Sequence, residues 1–245
     1  MLRKVRKSKR QVNVSGLRGS PARHQARGST IRRTKLSPAA KKLIAYDIFQ
    51  MSIARARNQI KIHQAAHGRR AKPEHYLADA HRAAIVLAIA ALDAFVRSFV
   101  ISRIRAILAD KTKTLEPSLA DHIKRFLKED GLLEAARNDD LHERVEKAFT
   151  GDFERKSFQG TDSITKCFQM VGIKNVFHQV AVKARVNEDN LKDDLDRFTK
   201  RRHIIAHCGD YDLSQNPPVE NKVTKKYAED CIKTVSIVAK AIHSL

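Results

Sequence analysis

Apolar residues in this chain recur at three- and four-residue spacings and nowhere alternate with polar ones as they would along a half-buried strand. The pattern predicts helices throughout. Ser37-Pro38 reads as a start, with a hydroxyl at the N-cap and proline at the first helical position, and "HGRR" at 67–70 reads as a stop. Pro73 opens the next helix, which meets no breaker from Glu74 to Asp110. Its middle is apolar nearly all round, so it is expected at the centre of the fold. "EPSLADHIKRFLKEDG" (116–131) repeats the proline start and glycine stop, "LLEAARNDDLHERVEKAF" continues as an amphipathic helix, and 150–162 reads as a linker. Two short helices, divided at Gly172, precede "NEDNLKDDLDRFTKRRHIIAH". Acids crowd the front of that segment and cations its back, as the helix dipole favours. Gly209 and the "NPP" at 216–218 end it. The last helix carries Val223, Tyr227, Cys231, Val235 and Val238 on one stripe.

Composition agrees with an all-α class: glycine (9) and proline (6) are scarce, while Ala, Leu, Ile, Lys and Arg abound. Charge changes the picture more. The net charge is +21, and residues 1–35 hold twelve Lys/Arg and no Asp or Glu. That segment reads as a disordered arm attracting polyanions, nucleic acid above all, or as a solubilising tail. The expected division is an arm at 1–36 and a helical domain at 37–245. The arm lacks the apolar core of a secretory signal, although it shares the Arg/Ser-rich, acid-free bias of an organelle transit peptide. The longest apolar run, "AAIVLAIAAL" (83–92), is too short to span a bilayer and is bounded by Arg82 and Asp93, so no membrane partner is expected. Cys167, Cys208 and Cys231 are odd in number and widely spaced. They suit neither a disulfide framework nor a zinc site, and they fit a reducing cytoplasm.

Candidate chemistry gathers in "RFTKRRHIIAHCGD", 197–210. An arginine a few residues before a histidine is a weak signal alone, and "RNDDLH" (137–142) has it too, with two acids that would oppose a phosphate ligand. Arg202 and His207 differ in context. Ile204, Ile205 and Ala206 can anchor the segment in a core, and Gly209 ends it at once, so His207 would stand at a rigid helix end. The plainer reading of His207 is a cap on the last carbonyls. His203 and His207 share a helix face, as zinc ligands do, but residue 204 is Ile and not the Glu of a metalloprotease, so no metal or cofactor is expected. Cys208 points away from His207 on a helix. Asp93, inside the most apolar helix, needs a partner. It either orients Arg202 or His207, or sits at an exposed edge or in an ion pair with another arginine. His63, His67 and His81 read as surface groups on amphipathic helices.

"RRHIIAH" resembles the R-x4-6-H signature of the HEPN superfamily of helical domains, in which a polar residue, commonly Asn, follows the arginine. Here that residue is His203. "AIVLAIAALDAFVRSFV" resembles the long acid-bearing helix of the RiboL-PSP type of HEPN domain, and "SFQGTDSITKCFQMVGI" the segment before its motif helix. The closing helix after "DYDL…NPPVENKVT" is similar as well. The resemblance covers about residues 40–245. It implies a HEPN-type all-α bundle with long central helices, and a metal-independent endoribonuclease or a degenerate RNA-binding relative. In such a site Arg202, His207, His203 and Asp93 would be the catalytic set, with Lys200, Arg201 and Arg197 binding the nucleic acid. The site would be assembled across a homodimer, with RNA as substrate, in a toxin or defence role with an antitoxin or defence-system partner. The competing expectations are a non-catalytic RNA- or protein-binding module, or an architectural DNA-binding protein driven by the arm.

Overall fold

The computed structural model describes residues 38–67, 77–110, 112 and 114–245, within the compact unit Leu36–Leu245. The basic arm, Ser37 and the expected start at Pro73 lie outside these residues. The described residues form eight helices and one short ribbon: α1 (Pro38–His67), α2 (Ala78–Ala109), α3 (Pro117–Asn138), α4 (Leu141–Glu154), α5 (Thr161–Met170), α6 (Val176–Ala184), α7 (Glu188–Cys208), β1 (Tyr211–Asp212), β2 (Val219–Glu220) and α8 (Lys225–His243). The strands are antiparallel, Tyr211 opposite Glu220 and Asp212 opposite Val219. Two-residue strands are below the length at which alternation could show in the sequence.

The helix apolar all round is the central one. α2 packs against α1, α4, α5, α7 and α8, and Ile85, Ile89, Leu92, Val96 and Phe99 along it are fully buried. Stacked and tilted rings tie three helices together: Phe49 of α1 meets Phe95 of α2 at 5.5 Å, and Phe99 meets Phe168 of α5 at 5.4 Å. Each such ring contributes roughly 1.5–3 kcal/mol by leaving water. An 18-residue window of α2 has a mean hydropathy of 2.2, long and apolar enough to cross a membrane by length and composition. The ten-residue run understated this, because the apolar character resumes beyond Asp93 and is interrupted again only by Arg97. In this fold 56% of that window is buried.

Three boundaries differ from expectation. Gly131 does not stop α3; the helix passes through it and breaks earlier, at Lys128 (φ 53°, ψ 175°). The segment expected as one helix from 132 is split between α3 and α4 at Asp139, which is left-handed (φ 52°). The carbonyl of Asp140 then accepts from the Glu143 and Arg144 amides and starts α4. An acid next to an acid reads as solvated helix surface, yet aspartate tolerates the left-handed conformation a helix end needs. α4 also runs on to Glu154, into the expected linker.

His81 is a further correction. Expected at the surface, it is 3% exposed, and its ring lies 4.0 Å from that of His63. Neither of its nitrogens has a hydrogen-bond partner. Cys167 and Cys231 are buried, and burial pushes the Cys231 thiol up to about 12 and that of Cys167 further still. Cys208 is partly exposed.

Candidate functional site

α7 is held at both ends by groups its own sequence supplies. The Asn187 side chain accepts from the Asn190 amide and caps the start, where Glu188 and Asp189 also favour the dipole. In the middle, Leu191, Leu195 and Phe198 face the core, and Phe198 meets Tyr227 of α8 edge-on at 5.1 Å. Asp196 accepts from the Thr161 amide at 2.8 Å and the Thr161 hydroxyl at 2.5 Å, which satisfies the first turn of α5. The motif helix is thus fixed to the segment before it.

The helical conformation runs through the motif to Cys208. Gly209 then turns left-handed (φ 59°), and its amide and that of Asp210 both bond to the Ile204 carbonyl. Backbone donors therefore close the helix. His207 is not used as the cap: its side chain is exposed, and its ring lies 4.4 Å from that of His203, also exposed.

The two adjacent arginines have different fates. Arg201 is tied down: its Nη2 donates to Asp210 Oδ2 at 2.8 Å and to the carbonyls of Asn221 and Lys222 at 3.2 and 3.1 Å. Arg201, expected among the nucleic-acid-binding residues, thus also ties the end of α7 to the hairpin. Arg202, one residue on, has a buried Nε with no hydrogen-bond partner, and no ion pair reaches its guanidinium among the described residues. Successive residues diverge by about 100° around a helix, which is how one faces the packed hairpin and the other does not. Lys200 is exposed, and Arg197 pairs with Asp194 at 2.7 Å while lying over the Phe198 and Tyr227 rings.

Asp210 carries a role that the sequence pattern does not announce. Fully buried at φ 68°, it accepts Arg201 and, on the same Oδ2, the Nε of Arg82 at 2.7 Å. Arg82 in turn reaches Asp79, Glu220 and the Asn221 carbonyl; burial alone would loosen its proton, but hydrogen bonds to Asp210 and Asp79 together with the charges of Glu220 and Asp210 hold it more firmly than usual. The Asp210 carbonyl accepts from the backbone and side-chain amides of Asn221. One buried carboxylate thus joins the end of α7, the start of α2 and the hairpin. Only the motif-adjacent "GD" could have signalled it.

Asp93 does not meet Arg202 or His207. Its Oδ1 accepts from the Phe158 amide at 2.6 Å and its Oδ2 from Arg97 at 3.0 Å, so it anchors the α4–α5 connection. Of the alternatives open from the sequence, the ion pair with another arginine is the one observed. Among the described residues, no group of three or more His, Cys, Asp or Glu side chains is placed to hold a metal ion.

The helix end accordingly offers one unpartnered guanidinium and two exposed imidazoles on a backbone closed by the Gly209 and Asp210 amides. On a helix unbroken to Cys208, Arg202 and His207 project about 140° apart. One copy would bring them onto a single phosphate only with the Arg202 side chain reaching round the helix.

No curated protein matches the chain, and no solved structure does. The family model described as RiboL-PSP-HEPN matches residues 52–245, which takes in α2, the motif helix and the closing helix. With its all-α bundle and its R-x4-H segment at the end of α7, the chain belongs to the RiboL-PSP-HEPN family of the HEPN superfamily.

Proposed function

We propose that this protein is a metal-independent endoribonuclease that acts as a homodimer, with Arg202 of one copy and His207 of the other addressing one phosphate. HEPN domains are often ribonucleases, which supports the class. The observation that carries the reading is the contrast at the helix end: Arg201 is consumed by Asp210, whereas Arg202 and the two imidazoles are left without structural work.

The chemistry follows from the groups. RNA supplies its own nucleophile, the 2′-hydroxyl. His207 takes the hydroxyl proton as the oxygen attacks the adjacent phosphorus, and a second imidazole, that of His203, protonates the departing 5′-oxygen. Charge accumulates on the non-bridging oxygens, where the two-pronged guanidinium of Arg202 donates. The product is a 2′,3′-cyclic phosphate and a 5′-hydroxyl. Lys200 and Arg197 hold flanking phosphates. A toxin or defence role in the cytoplasm, with an antitoxin or defence-system partner, is part of the same proposal.

The test is complementation in EDTA-treated buffer. Arg202→Ala and His207→Ala are each expected to be inactive alone, with losses of roughly 10²–10⁴ for the histidine. Mixing them should restore cleavage in the heterodimer. Wild-type cleavage by His207→Ala would remove its role, a mixture as inactive as its parts would remove the shared site, and RNA binding by the wild type without cleavage would make the protein a binding module.

A further inference from the structure

α1 and α8 lie side by side, and between them runs an open groove of about 630 Å³. Its floor is apolar: Ile60 and Ile232 are almost fully buried, and Ile237 is half-buried beside them. Its rim is cationic. Arg57 and Lys61 stand on the α1 side and Lys233 and Lys240 on the α8 side, all exposed and none in an ion pair among the described residues. The one acid on the rim, Glu229, already faces Lys225 at 3.5 Å.

The spacing gives the groove a length. Along α8 its lining runs from Glu229 to Lys240, twelve residues, whose ends lie about 16 Å apart at 1.5 Å per residue. Three turns of a helix fill that length, and two neighbouring helices with apolar residues at their junction are the surface on which a third helix packs. We propose that this groove docks an amphipathic helix of about three turns from a partner protein, with apolar residues on one face and acidic residues on both flanks.

The charge selects the flanks, since four unanswered cations bordering an apolar floor favour Asp and Glu opposite them. RNA fits less well. A nucleotide chain would find phosphate partners on the rim, but three isoleucines offer its bases neither hydrogen bonds nor an aromatic face to stack on. This docking stands independently of the ribonuclease reading.

The test uses the full chain and a fluorescent twelve-residue helical peptide, stapled away from its leucines, with four leucines along one face and glutamates beside them. The control peptide has the same residues with the leucines spread round the helix. Equal charge cancels any attraction to residues 1–35. The patterned peptide is expected to bind at least about ten-fold tighter than the control. That preference should vanish in Lys61→Glu/Lys233→Glu and in Ile237→Lys, surface changes whose folding is checked by circular dichroism. Equal affinity for the two peptides overturns the proposal, as does a preference that survives the variants. A twelve-nucleotide RNA that loses affinity in Lys61→Glu/Lys233→Glu, with no peptide preference in the wild type, assigns the groove to nucleic acid instead.

Discussion

Replacing Asp210 by alanine is expected to damage stability more than any exposed change at the motif. The carboxylate is fully buried and accepts two guanidiniums, at 2.7 and 2.8 Å, on one oxygen. Removing one partner of a buried charged set typically costs about 3–5 kcal/mol, because the remaining charges stay out of water unpaired. Two features move that figure. Glu220 still holds Arg82, and the Asn221 and Lys222 carbonyls still hold Arg201, which lowers the cost. Alanine must also adopt φ 68°, which adds roughly 1 kcal/mol. A net loss of about 3 kcal/mol is expected, and for a domain of this size that is a fall of roughly 6–12 °C in Tm. Asp210→Asn keeps an acceptor oxygen and tolerates the left-handed backbone, so it should lose about half as much. The assay is urea and thermal unfolding followed by far-ultraviolet circular dichroism, repeated in an Arg201→Met background. There the loss on removing Asp210 should shrink, since fewer cations are orphaned. A loss under about 1 kcal/mol, or the same loss in both backgrounds, would refute the argument.

Three further outcomes follow from other residues. Asp93→Ala should cost about 1–3 kcal/mol by freeing the Phe158 amide and Arg97, yet leave the RNA cleavage rate unchanged below the melting temperature; a loss of cleavage in the folded variant would return Asp93 to the site. Burial first, then His63, Lys225 and Arg82, with Glu229 opposing them, bring His81 down to about 4. As pH falls below about 6.5 the unfolded chain takes up a proton that the folded one refuses, so stability should drop by up to about 3 kcal/mol towards pH 4, a slope that His81→Phe should reduce but not abolish, since burial also lowers His122. Deleting residues 1–35 should weaken RNA binding and lower its log–log salt slope by about 0.7 for each phosphate the arm no longer neutralises, with the cleavage rate at saturating RNA unaltered.

Local grammar is legible where one signal acts alone. The start of α1 at Pro38, the division at Gly172 and the end of α7 at Gly209 can all be read, because each needs only the backbone preferences of one or two residues. The break at Lys128 and the passage through Gly131 cannot, since lysine carries no breaker signal and a glycine inside a helix weakens it by only about 1 kcal/mol. His81 looks like a surface group because a helix apolar nearly all round gives no phase from which to tell its buried side. The assignment between Arg201 and Arg202 is hidden for a different reason. It depends on Asp210 and Arg82, 128 residues apart, meeting at one point, and no short-range pattern encodes that meeting.

The three cysteines give the chain a built-in set of chemical clocks. A thiolate is the species that alkylating reagents capture, and in the core both Cys167 and Cys231 are denied water and held protonated. Their modification therefore requires the bundle to open, and its rate counts unfolding events. Cys208 sits partly exposed, one residue from His207 on the helix end that the Asp210 strut secures. Its rate counts access to that end in the folded molecule. One labelling time course, resolved by peptide mass, separates a ligand that covers the motif from a substitution that loosens the fold, with no probe added.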